Sequence, residues 1–472
     1  MPDFPVHVQF PGRLVFVGFG SIGQGVLPLV LRHIGIKPER ITIVTADEAG
    51  KREAAEYGIK FVVNPLTRDN FRQVLDPLLG KGDFLLNLSV DVSSIALIKF
   101  AHEKGALYLD TCIEPWPGGY TDPSISPARR TNYALREEAL ALRQSHPNGP
   151  TAVLTHGANP GMVSHFVKQA LLNLASDTGV SAGNPSTREQ WAALAHKLQV
   201  KVIHIAERDT QVSNVPKRLG EFVNTWSVDG FVSEGCQPAE LGWGTHEKEL
   251  PPRGRRYDFG PQNAIYMLQP GASTRVRTWT PKAGPFHGFL ITHGESISIP
   301  AYLSHREGDK VVYRPTVHYA YHPCNDAVLS VHEFAGRNWH LQERKRILNE
   351  EIVSGGIDEL GVLLAGHKKN AYWYGSQLSI DEARKLVPHN TATSLQVCVA
   401  VLSGMVWAME NPKAGVIEPD EMDFRRNLEV CMPYLGPVVG VYGDWTPLTQ
   451  RGELFEEDLD RSDPWQFKNV LV

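Results

Sequence analysis

A chain of 472 residues with 42% hydrophobic and 21% charged residues has an ordinary globular composition and the length of two or three domains, which excludes a disordered or fibrous protein. Its formal charge of -5 comes without a basic stripe carrying interleaved aromatics, so nucleic acid is not expected as a partner. Five cysteines with no CxxC spacing argue against both a disulfide framework and structural zinc.

The N-terminus, MPDFPVHVQFPGR, lacks the basic region and apolar core of a secretory signal. The first clear element follows as LVFVGFG from Leu14, then the helix SIGQGVLPLVLRHIG, then the strand Ile41 to Thr45, which together make a βαβ unit. Further apolar runs follow at Ile59 to Val63, Asp83 to Val90 and Ala106 to Cys112, with helical segments at Arg72 to Leu79 and Ser94 to Lys104. Short apolar strands separated by helices predict a parallel sheet buried on both faces, a Rossmann-type α/β domain over about residues 1–160. A sixth run, Thr151 to Gly161, ends in a turn that leads into a helix near Met162.

Beyond about Pro185 the strands alternate, as in Lys201 to Glu207 and Phe286 to Gly294, and Pro/Gly clusters such as Pro251 to Arg256 separate them. This predicts a second α+β domain of mostly antiparallel sheet, over 161–385. The strongly apolar segment Thr391 to Met409 reads as a helix capped by Thr or Ser that stops before Pro412. Its apolar excess points to packing between the domains or back on the first domain. The longest apolar runs, Val26 to Leu31 and Val397 to Val406, fall short of the roughly 20 residues that span a bilayer, so no membrane segment is expected.

Gly18, Gly20 and Gly23 form GFGSIG where a strand ends and a helix begins. The first glycine permits the tight turn, the second lets backbone approach a pyrophosphate, and the third permits close helix packing. Asp47, just past the second strand, suits the ribose hydroxyls and would favour NAD over NADP, although a solvated turn aspartate reads the same way.

Ligands of an open parallel sheet bind outside the carboxyl ends of its strands. Polar residues, most of them acids, collect there: Asp91 after LLNLSV, Glu114 after LYLDTC, Asn159 after AVLTHG, and Glu207, Arg208 and Asp209 after VIHIA. Each alone reads equally as a helix cap or a solvated charge. A substrate carboxylate would call for an arginine clamp, whereas a diamine calls for carboxylates and an aromatic face for a cationic intermediate, for which Trp226 and Glu234 are suited.

Long strings, among them VGFGSIGQGVLPL, YLDTCIEPWPGGY, THGANPGMVSHF, NTWSVDGFVSEG and THGESISIP, resemble the bacterial homospermidine synthases, relatives of the saccharopine dehydrogenase group, over nearly the whole chain. The resemblance implies a homodimeric transferase of polyamine biosynthesis with NAD as cofactor and putrescine and related diamines as substrates, a second domain that carries substrate and dimer contacts, and a C-terminal segment, 386–472, that returns to the first domain; the cysteine pattern fits a reducing cytoplasm. It places Asp91, Glu114, Asn159, Glu207, Trp226, Glu234 and His293 around the diamine. The cofactor contacts expected are Gly18, Gly20, Ser21, Ile22, Gly23, Asp47, Asn87, Thr111 and Asn159. We assign Glu207 as base and Glu234 as anchor of the distal ammonium, since only a neutral amine can release hydride.

Two other signals carry less. His318, His322 and Cys324 in HYAYHPC resemble metal ligands, but that segment reads as a strand, where residues four apart do not chelate easily. Cys112 reads as a packed thiol or as a nucleophile, and His293 as a packed strand-end histidine or a ligand contact. The rival functions are a saccharopine-type dehydrogenase that releases free NADH, with Arg208 or Arg218 as its clamp, and a non-catalytic NAD-binding protein.

Overall fold

The computed structural model describes residues 4–472. Seven short strands form one parallel sheet in the order Val416–Ile417, Ala152–Val153, Leu107–Asp110, Phe84–Asn87, Leu14–Val17, Ile41–Thr45, Lys60–Val63. The central strands read as unbroken apolar runs because both of their faces are covered. Leu14, Phe16 and Leu86 enter one core while Val15, Val17 and Leu85 enter another on the opposite face. The strand order reverses between Leu14–Val17 and Phe84–Asn87, so a cleft opens above their carboxyl ends.

The large sheet has ten strands. It is antiparallel as expected except at its centre, where Val202–Asp209 and Thr316–His322 run parallel. Alternation along a strand reports which face is buried, but not the direction of a partner more than a hundred residues away, and parallel partners need such a long crossover.

The C-terminal segment 386–472 does not return as one unit. The helix Ala392–Glu410 packs on the helix Ser21–His33, and Val416–Ile417 extends the parallel sheet. Val438–Gly443 instead pairs with Asn370–Ser379 of the large sheet, and Trp465, Phe467 and Val470 pack into that domain's cores. The strand Asn370–Ser379 would otherwise present an open edge, which the segment VVGVYG covers.

Ala392–Glu410 is long and apolar enough to cross a bilayer, which its sequence was not expected to be, and 89% of that stretch is buried inside the protein. Its apolarity answers to packing on all sides. Thr391 caps it through the N–H of Ser394, and the same hydroxyl donates to the Thr225 carbonyl at 3.2 Å, which fixes the helix N-terminus against the large-sheet domain.

Candidate active site

The glycine loop joins Leu14–Val17 to the helix Ser21–His33. Gly18 has φ +85°, and a Cβ there would meet the Leu88 carbonyl at 2.8 Å, so only glycine fits the turn. A Cβ on Gly20 would meet nothing within 4 Å; the backbone faces open space where a pyrophosphate would approach. No side chain caps the helix, and the buried Ser21 hydroxyl lacks a partner. An uncapped helix start beside an orphaned hydroxyl and an open glycine fits a dinucleotide phosphate.

A cavity of about 100 Å³ opens beside this loop. Ile22 and Leu88 border it on the nucleotide side, Thr111, Cys112 and Asn159 come from the ends of the parallel strands, and Glu207, Trp226, Glu234, His293 and Tyr319 come from the second domain. A smaller inner recess of about 10 Å³ shares Cys112, Glu234 and His293 with it and adds Glu114, Tyr120, Asn132 and Gln237. Strand ends of one domain and the sheet, a helix and loops of the other therefore meet around a common space.

Glu207 is buried on Val202–Asp209. Asn159 Nδ2 donates to its Oε2 at 3.1 Å and the Tyr319 hydroxyl donates to the same oxygen, which leaves Oε1 without a partner among the described residues. Burial raises its carboxyl, the Tyr319 hydrogen bond opposes this, and nearby Asp209 raises it further, to about 7. Such a group exchanges a proton near neutrality.

His293 lies between two carboxylates: Nε2 is 2.9 Å from Glu234 Oε2 and Nδ1 is 3.3 Å from Glu295 Oε1. Burial works against a charged imidazole, but the two acids outweigh it and push His293 up to about 10. Both ring nitrogens then donate, and the ring stacks on Tyr319 with centroids 4.3 Å apart. Glu114 is pushed up to about 8, mainly by burial and then by Glu234 and Asp91, against a hydrogen bond from Cys112; its Oε2 is buried without a partner. The half-buried Trp226 donates Nε1–H to the Tyr321 hydroxyl at 3.1 Å, which fixes the ring at the cavity wall.

The sequence matches the saccharopine dehydrogenase NADP binding domain family over residues 14–153 and the saccharopine dehydrogenase C-terminal domain family over 157–444. It is 58% identical to the homospermidine synthase of Blastochloris viridis over the full length of both chains. It is 54% identical to that of Mesorhizobium japonicum, over 100% of this chain and 98% of the relative. The chain belongs to the homospermidine synthase family. A crystal structure of the homospermidine synthase of Legionella pneumophila in complex with NAD has the same fold, with a TM-score of 0.92 at 49% identity over 98% of each chain.

In this member of the homospermidine synthase family, the cavity gathers Ile22, Thr111, Asn159, Glu207, Trp226, Glu234 and His293, with Glu114 in the inner part. Three expected residues stand apart. Asn87 spends its amide inside the protein, donating to the Tyr108 hydroxyl and accepting from Ser89, so it shapes the turn after its strand. Asp47 is exposed beyond Ile41–Thr45 and accepts from the Ala49 N–H. Asp91 is exposed with φ +64°, and its carboxyl is raised by burial and by Asp229.

Two residues of the site went unread. Tyr319 lies inside HYAYHPC, between the two histidines that resemble metal ligands, and Glu295 follows His293 by two positions. The signal available for Tyr319 was an aromatic residue on a strand rich in them; that it would reach Glu207 depends on the parallel pairing of the two strands. His318 is buried, its ring tilted against that of His204 with centroids 4.1 Å apart.

Proposed function

We propose that this chain is a homospermidine synthase that joins two putrescines with release of ammonia, holding NAD at the Gly18–Gly23 loop. One putrescine is oxidised to an imine, a second putrescine displaces ammonia from it, and the new imine is reduced, for which bound NAD supplies the hydride acceptor and then the donor. Glu207 takes the proton from the reacting ammonium through its free Oε1, because only the neutral amine releases hydride. Glu234, oriented by His293, and Glu114 hold the distal ammonium in the inner recess. The Trp226 face steadies the iminium cation that forms between them.

The observation that carries this reading is the cavity wall. It presents Glu114, Glu207 and Glu234 beside Trp226, and no arginine or lysine lines it among the described residues. A dehydrogenase of amino acids would need a guanidinium clamp there. Arg208 instead gives its guanidinium to the Asp209 and Pro323 carbonyls and to Asn325. Five free cysteines suit a reducing compartment, the cytoplasm. The homodimer belongs to the proposal on the family resemblance.

The test is chemical. Incubated with putrescine and catalytic NAD, the protein is expected to yield homospermidine and ammonia, identified by mass, with no net rise in absorbance at the NADH band. Stoichiometric NADH release, or no condensed product, would overturn the reading.

A further inference from the structure

Behind the cavity wall lies a pair of acids that the reaction does not touch. Asp209 and Asp358 are directly paired across Val202–Asp209 and Ile357–His367, and both are fully buried. Between them stands Thr393, whose Oγ1 lies 2.5 Å from Asp358 Oδ2 and 3.5 Å from Asp209 Oδ2, and accepts from Gln211 Nε2 at 3.0 Å. One hydroxyl carries one proton, so it can donate to only one of the two acids.

The remaining partners of the pair are unequal. Asp209 Oδ1 accepts from the Gln211 N–H at 2.8 Å and from Gln211 Nε2 at 3.1 Å, and its Oδ2 accepts from the Thr225 hydroxyl at 2.8 Å. Asp358 Oδ1 is buried with no partner among the described residues. A carboxylate with three donors can keep its charge, whereas one with a bare oxygen in a dry interior cannot. The charged and titratable groups facing the pair are Glu207, Arg208, Tyr321 and Cys324, with His293 and Tyr319 beyond Glu207. The one cation among those adjoining the pair, Arg208, spends its guanidinium on two carbonyls and Asn325. Burial, then Glu207 and Asp209, hold the Asp358 carboxyl well above the usual range.

We propose that Asp358 is a neutral acid in the working protein, its O–H donating to Thr393 and the Thr393 hydroxyl donating in turn to Asp209, so that the pair carries one fixed negative charge, on Asp209. That charge sits two residues from Glu207 on the same face of one strand, and against Thr225, the neighbour of Trp226. It favours the proton on Glu207 and a cation at the Trp226 wall. Asp209 and Asp358 are positioning residues, since neither lines the cavity. Only the consequence for pH rests on Glu207 being the base; the proton on Asp358 does not.

The test combines infrared spectroscopy with rate profiles on the full-length protein. A protonated-carboxyl band should disappear in Asp358→Asn and persist in Glu207→Gln. The acid limb of kcat/KM should stay in place in Asp358→Asn, where a neutral amide replaces a neutral acid. In Asp209→Asn it should move about one unit down, which raises activity relative to the plateau about fivefold at a pH one unit below the wild-type limb. Loss of no band in Asp358→Asn, or a limb displaced there as far as in Asp209→Asn, would overturn the proposal. If Asp209→Asn does not fold, the band and the Asp358→Asn profile decide. An acid limb that survives in Glu207→Gln sinks the assignment of the base instead, and the band still judges Asp358.

Discussion

Trp226 lines the cavity with Nε1–H committed to the Tyr321 hydroxyl, so what the ring has left to offer a cation is its electron-rich π system. A cation over a desolvated indole gains about 2 kcal/mol, which as transition-state stabilisation is worth about 30-fold in rate. Trp226→Leu should therefore lower turnover by about 30-fold while Trp226→Phe keeps most of it, checked by homospermidine formed per unit time. Equal turnover in the leucine variant would remove the ring from the chemistry. Glu114 and Glu207 at the same site were legible as acids at strand ends, whereas Glu234 was read at loop spacing after Trp226 and lies on the helix Val228–Cys236. Their states were not, because burial and neighbours set them: His293 is charged only because Glu234 and Glu295 flank it.

Two helices meet closely at Gly25, two residues after Gly23. A Cβ there would lie 2.5 Å from Asn390 Oδ1 and 2.7 Å from Cys398 Sγ of the C-terminal region. Alanine in a helix interior ordinarily gains up to about 1 kcal/mol over glycine. Here overpacking dominates, and Gly25→Ala should cost about 1–3 kcal/mol in urea unfolding; an equal or higher midpoint would show that the helices can separate. At this scale the helix Ala392–Glu410 was readable from its apolar run and its Thr391 cap. Its contact with Ser21–His33 was not, since a residue apolar on every side names no partner.

The two domains share one core. A single cluster of buried residues runs from Leu14 and Phe16 of the parallel sheet through Val399 and Leu402 of the C-terminal helix to Ile203 and Leu360 of the large sheet. Glu240, on the large sheet, accepts from the N–H groups of Asn132 and Tyr133 at the start of a first-domain helix, at 2.9 and 3.2 Å. Domains joined by a continuous apolar core do not open separately. A calorimetric scan of the protein should show one unfolding transition, and two resolved transitions would count against the shared core.

What the sequence alone determined is whatever a short stretch of backbone dictates. The Gly18–Gly23 turn, the buried parallel strands, the Thr391 cap and the acids at strand ends follow from local geometry and from the period of hydrophobicity. The tertiary structure decided what depends on chain remote in sequence: the parallel match that brings Tyr319 to Glu207, the passage of Val438–Gly443 to the other sheet, and the meeting of Asp209 and Asp358 at one hydroxyl. The physical reason is that strand pairing and the loss of water are properties of neighbours in space, and a carboxyl group's charge depends on both.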